Sequence, residues 1–405
     1  MLWRIPPLLA YKAGSSLETI SVSYSAGFIA NYLVCYWVCG SMLKQYRFAL
    51  LVLLINLLFA AHTFYWPISQ VPQGMAMMMV VWAMIWEKRL EAIKPLMWCS
   101  IACLLVVLVF FHPLMLVALA YSIVFFLLSK DAQVDRRVLY RIGAFFVLIL
   151  VLKSIFFRTQ YERHSLSGLK NFIKLFPYYF NTFSNKQFIA NCVSRYYWIP
   201  VLFAGICALY LRTGNYKKLL FFGGAVAGYL MLVNIMYPTA DTPLFYIENL
   251  YLPVSLFIGL PLVFDLLPVL EQRSAGGAVM ALIMITGCVR LYAAHNVYSE
   301  RLQWQRSYLA ANGDKKIIAD SKKANAGILP MLWGTPYEFW QLSTIEQGRS
   351  ASIIIDEDPP HRDWARDKRR AFVVNWNVFD YSELDPKYFR FTDTTTGYII
   401  EEPVR

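Results

Sequence analysis

The stretch KQYRFALLVLLINLLFAAHTFYWP, residues 44–67, sets out the organisation of the whole chain. Two cations, Lys44 and Arg47, open it, an apolar run follows, and Phe64, Tyr65, Trp66 and Pro67 close it. An apolar run of about 20 residues is the length that crosses the hydrocarbon core of a bilayer. Cations collect at the cytoplasmic end of such a run and aromatic rings at the membrane–water interface. The same pattern recurs along the chain. It gives ten apolar segments at about 19–43, 48–66, 71–86, 95–111, 114–129, 138–157, 197–211, 219–236, 249–270 and 276–293. The 405 residues are 58% hydrophobic, with a mean hydropathy of +0.44, which is too apolar for a soluble domain. The expected fold is an α-helical polytopic membrane protein of about 10 transmembrane helices with a small C-terminal α/β soluble domain.

Loop charge predicts the topology. Short loops after the first, third, fifth, seventh and ninth segments carry Lys44 and Arg47; Lys88, Arg89 and Lys94; Lys130, Arg136 and Arg137; Arg212, Lys217 and Lys218; and Arg273. Those after the second, fourth and eighth carry no Lys or Arg. Positive loops stay cytoplasmic, so both chain ends are expected outside, in a bacterial inner membrane. Residues 158–195 differ. They interleave Leu169, Phe172, Ile173, Leu175 and Phe176 with Lys170, Lys174, Lys186 and Arg195. That pattern predicts one or two helices lying flat in the outer interface. Their charge runs against the topology but suits anionic lipid head groups.

Three parts follow. Residues 1–18 form the end of an external loop, 19–295 the transmembrane body with interfacial helices at 158–195, and 296–405 an extracytoplasmic α/β domain. Residues 1–295 hold 23 Lys/Arg against 10 Asp/Glu, and 296–405 hold 15 against 16, so the net charge of +12 belongs to the membrane body. Membrane lipids are the partner this basicity fits, and nucleic acid is not expected. The tail begins with a helical stretch, Tyr298 to Ala311. Short β-like runs follow at 316–319, 352–355, 371–374 and 398–400, separated by turns.

No phosphate loop, dinucleotide fingerprint, zinc-protease motif or serine-hydrolase elbow is present, and no cofactor is indicated. The seven cysteines form no disulfide framework; Cys35/Cys39 and Cys99/Cys103 read as small packing residues. Asp356-Glu357-Asp358 reads as a solvated turn, and no metal site is expected.

The informative pattern is positional. On the predicted topology Arg4, Lys12, His62, His112, Lys153, Asp241, Glu248 and Arg290 collect at the outer face. Ionisable groups near membrane depth are costly and are often functional. Each also has a plainer reading. Lys153 and Arg290 suit snorkelling, and His62 and His112 suit a cap or a bond to a carbonyl. Asp241 suits a turn and Glu248 a helix start. As a set they suit a substrate whose phosphate lies at head-group level, with cations at the phosphate and a carboxylate as base.

Arg4-Ile5-Pro6-Pro7-Leu8-Leu9-Ala10-Tyr11 resembles the end of the first external loop in the GT-C membrane glycosyltransferases, where a basic or His residue, Pro-Pro-Leu and an aromatic precede the second span. Many spans with short loops, interfacial outer helices and a C-terminal outer α/β domain are also similar to that family. The resemblance implies transfer of a sugar from a polyprenyl-phosphate donor to a cell-envelope acceptor. It implies Arg4 and Lys12, with His62 and His112, as substrate-binding residues, and Asp241 and Glu248 as the outer-face carboxylates available for catalysis. It also implies that the family's first span and acidic catalytic loop lie upstream of Met1, so that both an active form and a shortened, inactive form stay open. Glu18 is a further outer-face carboxylate. Two other classes stay open: a flippase or polymerase of surface polysaccharide, and a non-catalytic membrane scaffold.

Overall fold

The structure is a computed structural model. It describes residues 5–59, 61–66, 70–129, 133–157, 168–239, 244–272, 274–313, 315–323, 328–329, 332–356, 370–374, 377–391 and 393–401. The expectations resting on Arg4, Lys130, residues 158–167, Asp241, Arg273, Glu357 and Asp358 lie outside the described residues.

The first helices in chain order are α1 (Ile5–Lys12), α2 (Leu17–Trp37), α3 (Tyr46–Phe59), α4 (Val71–Ile85), α5 (Pro95–Phe111), α6 (Leu114–Leu128) and α7 (Arg136–Phe156). Next come α8 (Asn171–Leu175), α9 (Phe183–Ser194), α10 (Trp198–Arg212), α11 (Tyr216–Met236), α12 (Leu244–Tyr251), α13 (Pro253–Pro261) and α14 (Leu267–Glu271). The last two are α15 (Gly276–Asn312) and α16 (Thr335–Gln347). The chain divides into two compact units, one of residues 28–293 and one of residues 1–27 with 294–405; the divisions fall inside α2 and α15.

Among the described residues, five helical stretches are long and apolar enough to cross a membrane: Leu17–Met42, Arg136–Phe156, Tyr216–Met236, Glu248–Glu271 and Gly276–Asn312. A sixth arises if α9 and α10, bent by 89° to each other, count as one. The other apolar segments are also helical, but α3, α4, α5 and α6 have only 14, 15, 17 and 15 residues. At about 1.5 Å per residue the shortest is about 21 Å long, less than the roughly 30 Å hydrocarbon core. Ten apolar helical segments are therefore present, while ten full-length spans are not established.

Two sequence expectations change. The segment expected at 48–66 stops as a helix at Phe59, and His62–Phe64 form a 3-10 turn. The segment expected at 249–270 holds as a helical stretch from Glu248 to Glu271, with a π turn at Leu262–Leu266 between α13 and α14 and with Pro253, Pro261 and Pro268 along it. Each proline lacks the N–H that a regular helix uses. The last apolar segment and the helical stretch of the tail are one helix, the 37-residue α15.

The core of the 28–293 unit is aromatic at one end. Trp82 and Phe126 rings lie 5.2 Å apart, Phe48 and Trp86 5.3 Å, and Trp86 and Phe264 4.8 Å. Beneath them α4 is buried along nearly its whole length, including Met75, Met77, Met78 and Met79.

The other unit holds the strands β1 (Ile317–Asp320), β2 (Ile353–Asp356), β3 (Arg370–Val374), β4 (Asn377–Asp380) and β5 (Ile399–Ile400). β2, β1 and β5 form a parallel sheet in that order, and β3 pairs with β4 antiparallel. Ile317, Ala319, Ile353 and Ile355 pack with Leu309 of α15 and Phe339 of α16. The buried Arg301 donates from Nε to the Glu338 carboxylate at 2.8 Å, tying α15 to α16. The amino-terminal residues belong here too: Tyr388 donates to the Ser15 carbonyl at 3.1 Å.

Candidate functional site

The chain reverses at the end of α3, and the groups that allow this come from distant segments. A helix end leaves its last carbonyls without intrahelical partners. Here Arg290 of α15 takes two of them: Nη2 donates to the Leu57 carbonyl at 2.7 Å and Nη1 to the Leu58 carbonyl at 3.3 Å. Arg290 Nη1 also donates to the Arg195 carbonyl at 2.8 Å. Gly287, one turn earlier in α15, permits this approach: a Cβ there would lie 2.7 Å from the Leu57 oxygen.

The amides just beyond α3 turn to Glu248 of α12. One carboxylate oxygen, Oε2, accepts from Thr63 N at 2.9 Å and from Ala61 N at 3.2 Å. The other, Oε1, accepts from the Tyr196 hydroxyl at 2.6 Å. Glu248 and Tyr196 are 0% and 1% exposed, so this network is sealed from bulk water. The Tyr196 ring stacks on Phe59 at 4.1 Å, and the Arg290 guanidinium lies 5.8 Å from its centroid. A buried carboxylate is tolerated when donors and nearby cations compensate its charge, and three donors do so here.

His62 is half-buried in the turn that Glu248 holds, and its ring lies 6.1 Å from Trp66. Arg195, between α9 and α10, completes the set. Its charge acts on both His62 and Glu248, and its Nη1 is buried with no hydrogen-bond partner. The Thr63 hydroxyl, in the same turn, is likewise buried without a partner.

The structure thus brings together His62, Glu248 and Arg290 of the expected set and adds Arg195 and Tyr196. His112 accepts the Leu114 amide at 3.2 Å in the turn between α5 and α6. Lys153 is buried in the last turn of α7 and donates to the Val109 carbonyl near the end of α5 at 2.9 Å. It therefore caps a neighbouring helix as Arg290 does. Lys12 is the exposed last residue of α1, in the unit that contains the tail, and Glu18 is exposed at the start of α2. Sequence reasoning placed Arg195 only among the charges of the interfacial segment. The signal available was a cation followed at once by three aromatics, Tyr196, Tyr197 and Trp198.

No family model, curated protein or solved structure matches the chain.

Proposed function

We propose that the chain is a membrane glycosyltransferase of GT-C type, taking a sugar from a polyprenyl-phosphate donor and passing it to a cell-envelope acceptor. On this reading the ten apolar segments lie in a bacterial inner membrane, both chain ends face out, and the end of α3 marks the outer face. The observation that supports it is Arg195. A buried guanidinium nitrogen without an acceptor is costly. A phosphate oxygen is the acceptor its planar fork suits best. His62 lies in the turn that Glu248 holds, and the charge of Arg195 reaches it.

The reaction is a displacement. The acceptor hydroxyl oxygen bonds to the anomeric carbon as the bond from that carbon to the phosphate oxygen breaks. The polyprenyl phosphate leaves with the electron pair, and a carboxylate takes the hydroxyl proton. Arg195 and His62 would stabilise the leaving phosphate. Glu248 is already engaged by three donors. It positions the turn that carries His62, and the role of base falls to Asp241.

Purified full-length protein in proteoliposomes, given a polyprenyl-phosphate sugar together with a hydroxyl-bearing cell-envelope acceptor, should release polyprenyl phosphate and glycosylate the acceptor, and Asp241→Asn should abolish both. Wild-type protein that neither binds nor turns over the donor would end this reading. A non-catalytic scaffold is the second reading. It is favoured by Glu248 and Arg290 making their bonds to the chain's own backbone. It predicts that Arg195→Gln and Asp241→Asn leave the cell envelope unchanged.

A further inference from the structure

At the opposite end of the 28–293 unit, the loops between helices join into one rim that sugar transfer does not use. Gln45 donates to the Glu87 carboxylate at 3.5 Å, and the Glu87 amide donates to the Gln133 carbonyl at 2.7 Å. Asp135 accepts from Leu90 N at 3.1 Å, and Arg137 pairs with Glu91 at 3.4 Å. On the other side Arg47 lies 5.7 Å from the Phe264 centroid. Beside it, Asp265 accepts from Lys218 at 2.8 and 2.9 Å and from Tyr210 at 2.5 Å. The loops after α2, α4, α6 and α10 and the π turn at Leu262–Leu266 are therefore stitched to one another.

The charges of this rim are not matched internally. Glu87, Glu91, Asp135 and Asp265 each already serve a partner within the protein. Lys44, Arg47, Arg89, Arg136, Arg212 and Lys217 are exposed, and none forms an ion pair among the described residues. Exposed apolar side chains sit beside these cations: Tyr46 is 72% exposed and Leu220 75%. A cation next to an outward-facing apolar side chain, at the end of an apolar helix, matches a phosphate head group above an acyl chain.

We propose that this rim binds the head groups of anionic phospholipids in the adjoining leaflet, several at once, as bound ligands of the folded protein. The inference rests on the membrane setting of the helices and stands apart from sugar transfer.

The test uses full-length wild-type protein in nanodiscs of phosphatidylcholine, with or without phosphatidylglycerol. Native mass spectrometry should show preferential retention of phosphatidylglycerol, and the thermal midpoint should rise when it is present. Each cation removed should lower that preference about fivefold, as expected for a polybasic membrane surface. The variant Arg89→Gln/Arg136→Gln/Arg212→Gln should lose most of it, and added salt should weaken it. Inorganic phosphate in phosphatidylcholine discs should leave the midpoint unchanged. Equal retention of the two lipids by the wild-type chain would overturn the proposal, a result that does not depend on whether the variant folds. So would full reproduction of the shift by free phosphate, or undiminished preference in a folded variant.

Discussion

Arg290 and Glu248 hold the same helix end, one by its last carbonyls and the other by the amides just beyond it. The cation takes the Leu57 carbonyl at 2.7 Å, and the carboxylate takes the Thr63 amide at 2.9 Å. α15 and α12 thus fix where α3 stops, and the turn they hold carries His62.

Removing the carboxylate should therefore cost stability before anything else. Glu248→Ala strands two buried amides and the Tyr196 hydroxyl. A stranded buried donor costs about 1–3 kcal/mol. Glu248→Ala should lower unfolding stability in detergent by about 2–4 kcal/mol on that basis, and Tyr196→Phe by less. A change near zero for Glu248→Ala would mean that the turn is held by other contacts.

Two glycine substitutions separate packing from helix propensity. Ala is intrinsically better than Gly inside a helix by about 0.5–1 kcal/mol. At Gly223 of α11 a Cβ meets nothing within 4 Å, so Gly223→Ala should be neutral or stabilising. At Gly287 the Cβ meets the Leu57 backbone oxygen, so Gly287→Ala should destabilise and pull Arg290 off its carbonyls. Thermal midpoints of the two variants, compared side by side, check this sign reversal.

The Lys218–Asp265 pair should behave as a buried unit. The side chains are only 6% and 19% exposed, and the ammonium also lies 4.8 Å from the Phe125 centroid. Breaking a buried pair costs about 3–5 kcal/mol because one charge is left uncompensated, whereas replacing both partners costs far less. Lys218→Met and Asp265→Leu should each destabilise strongly, and the double variant should recover much of the loss. Additive losses in a double-mutant cycle would contradict the pairing.

Acid should loosen the turn at Asp393. The Thr396 hydroxyl, and then the Thr395 amide, hold its carboxyl down to about 2. A carboxyl depressed on folding stabilises the protein above its unfolded value of about 4, and that contribution is lost as pH falls from about 4 towards 2. Asp393→Asn should flatten the acid limb of a stability profile between those values. An unchanged limb would show that the turn is not coupled to folding.

Much of the architecture is written in local pattern. The β-like runs at 316–319 and 352–355 are the strands 317–320 and 353–356, because runs of β-branched Ile specify them locally. What local pattern misses is set over long range. Nothing in residues 59–66 shows that the helix stops, because the groups that stop it are Glu248 and Arg290. Residues 294–297 look like a boundary, yet without Pro or Gly to break it α15 runs through them. Arg195 stood out less, since the burial of its Nη1 and the reach of its charge to His62 and Glu248 are set by the fold.

The most direct measurement is binding of a polyprenyl-phosphate sugar to the purified full-length protein in nanodiscs, followed by native mass spectrometry. The account predicts retention of the donor by the wild-type chain, abolished by Arg195→Gln and kept by the remote control Gly223→Ala. Absence of retention by the wild type, or equal retention by a folded Arg195→Gln protein, would contradict it.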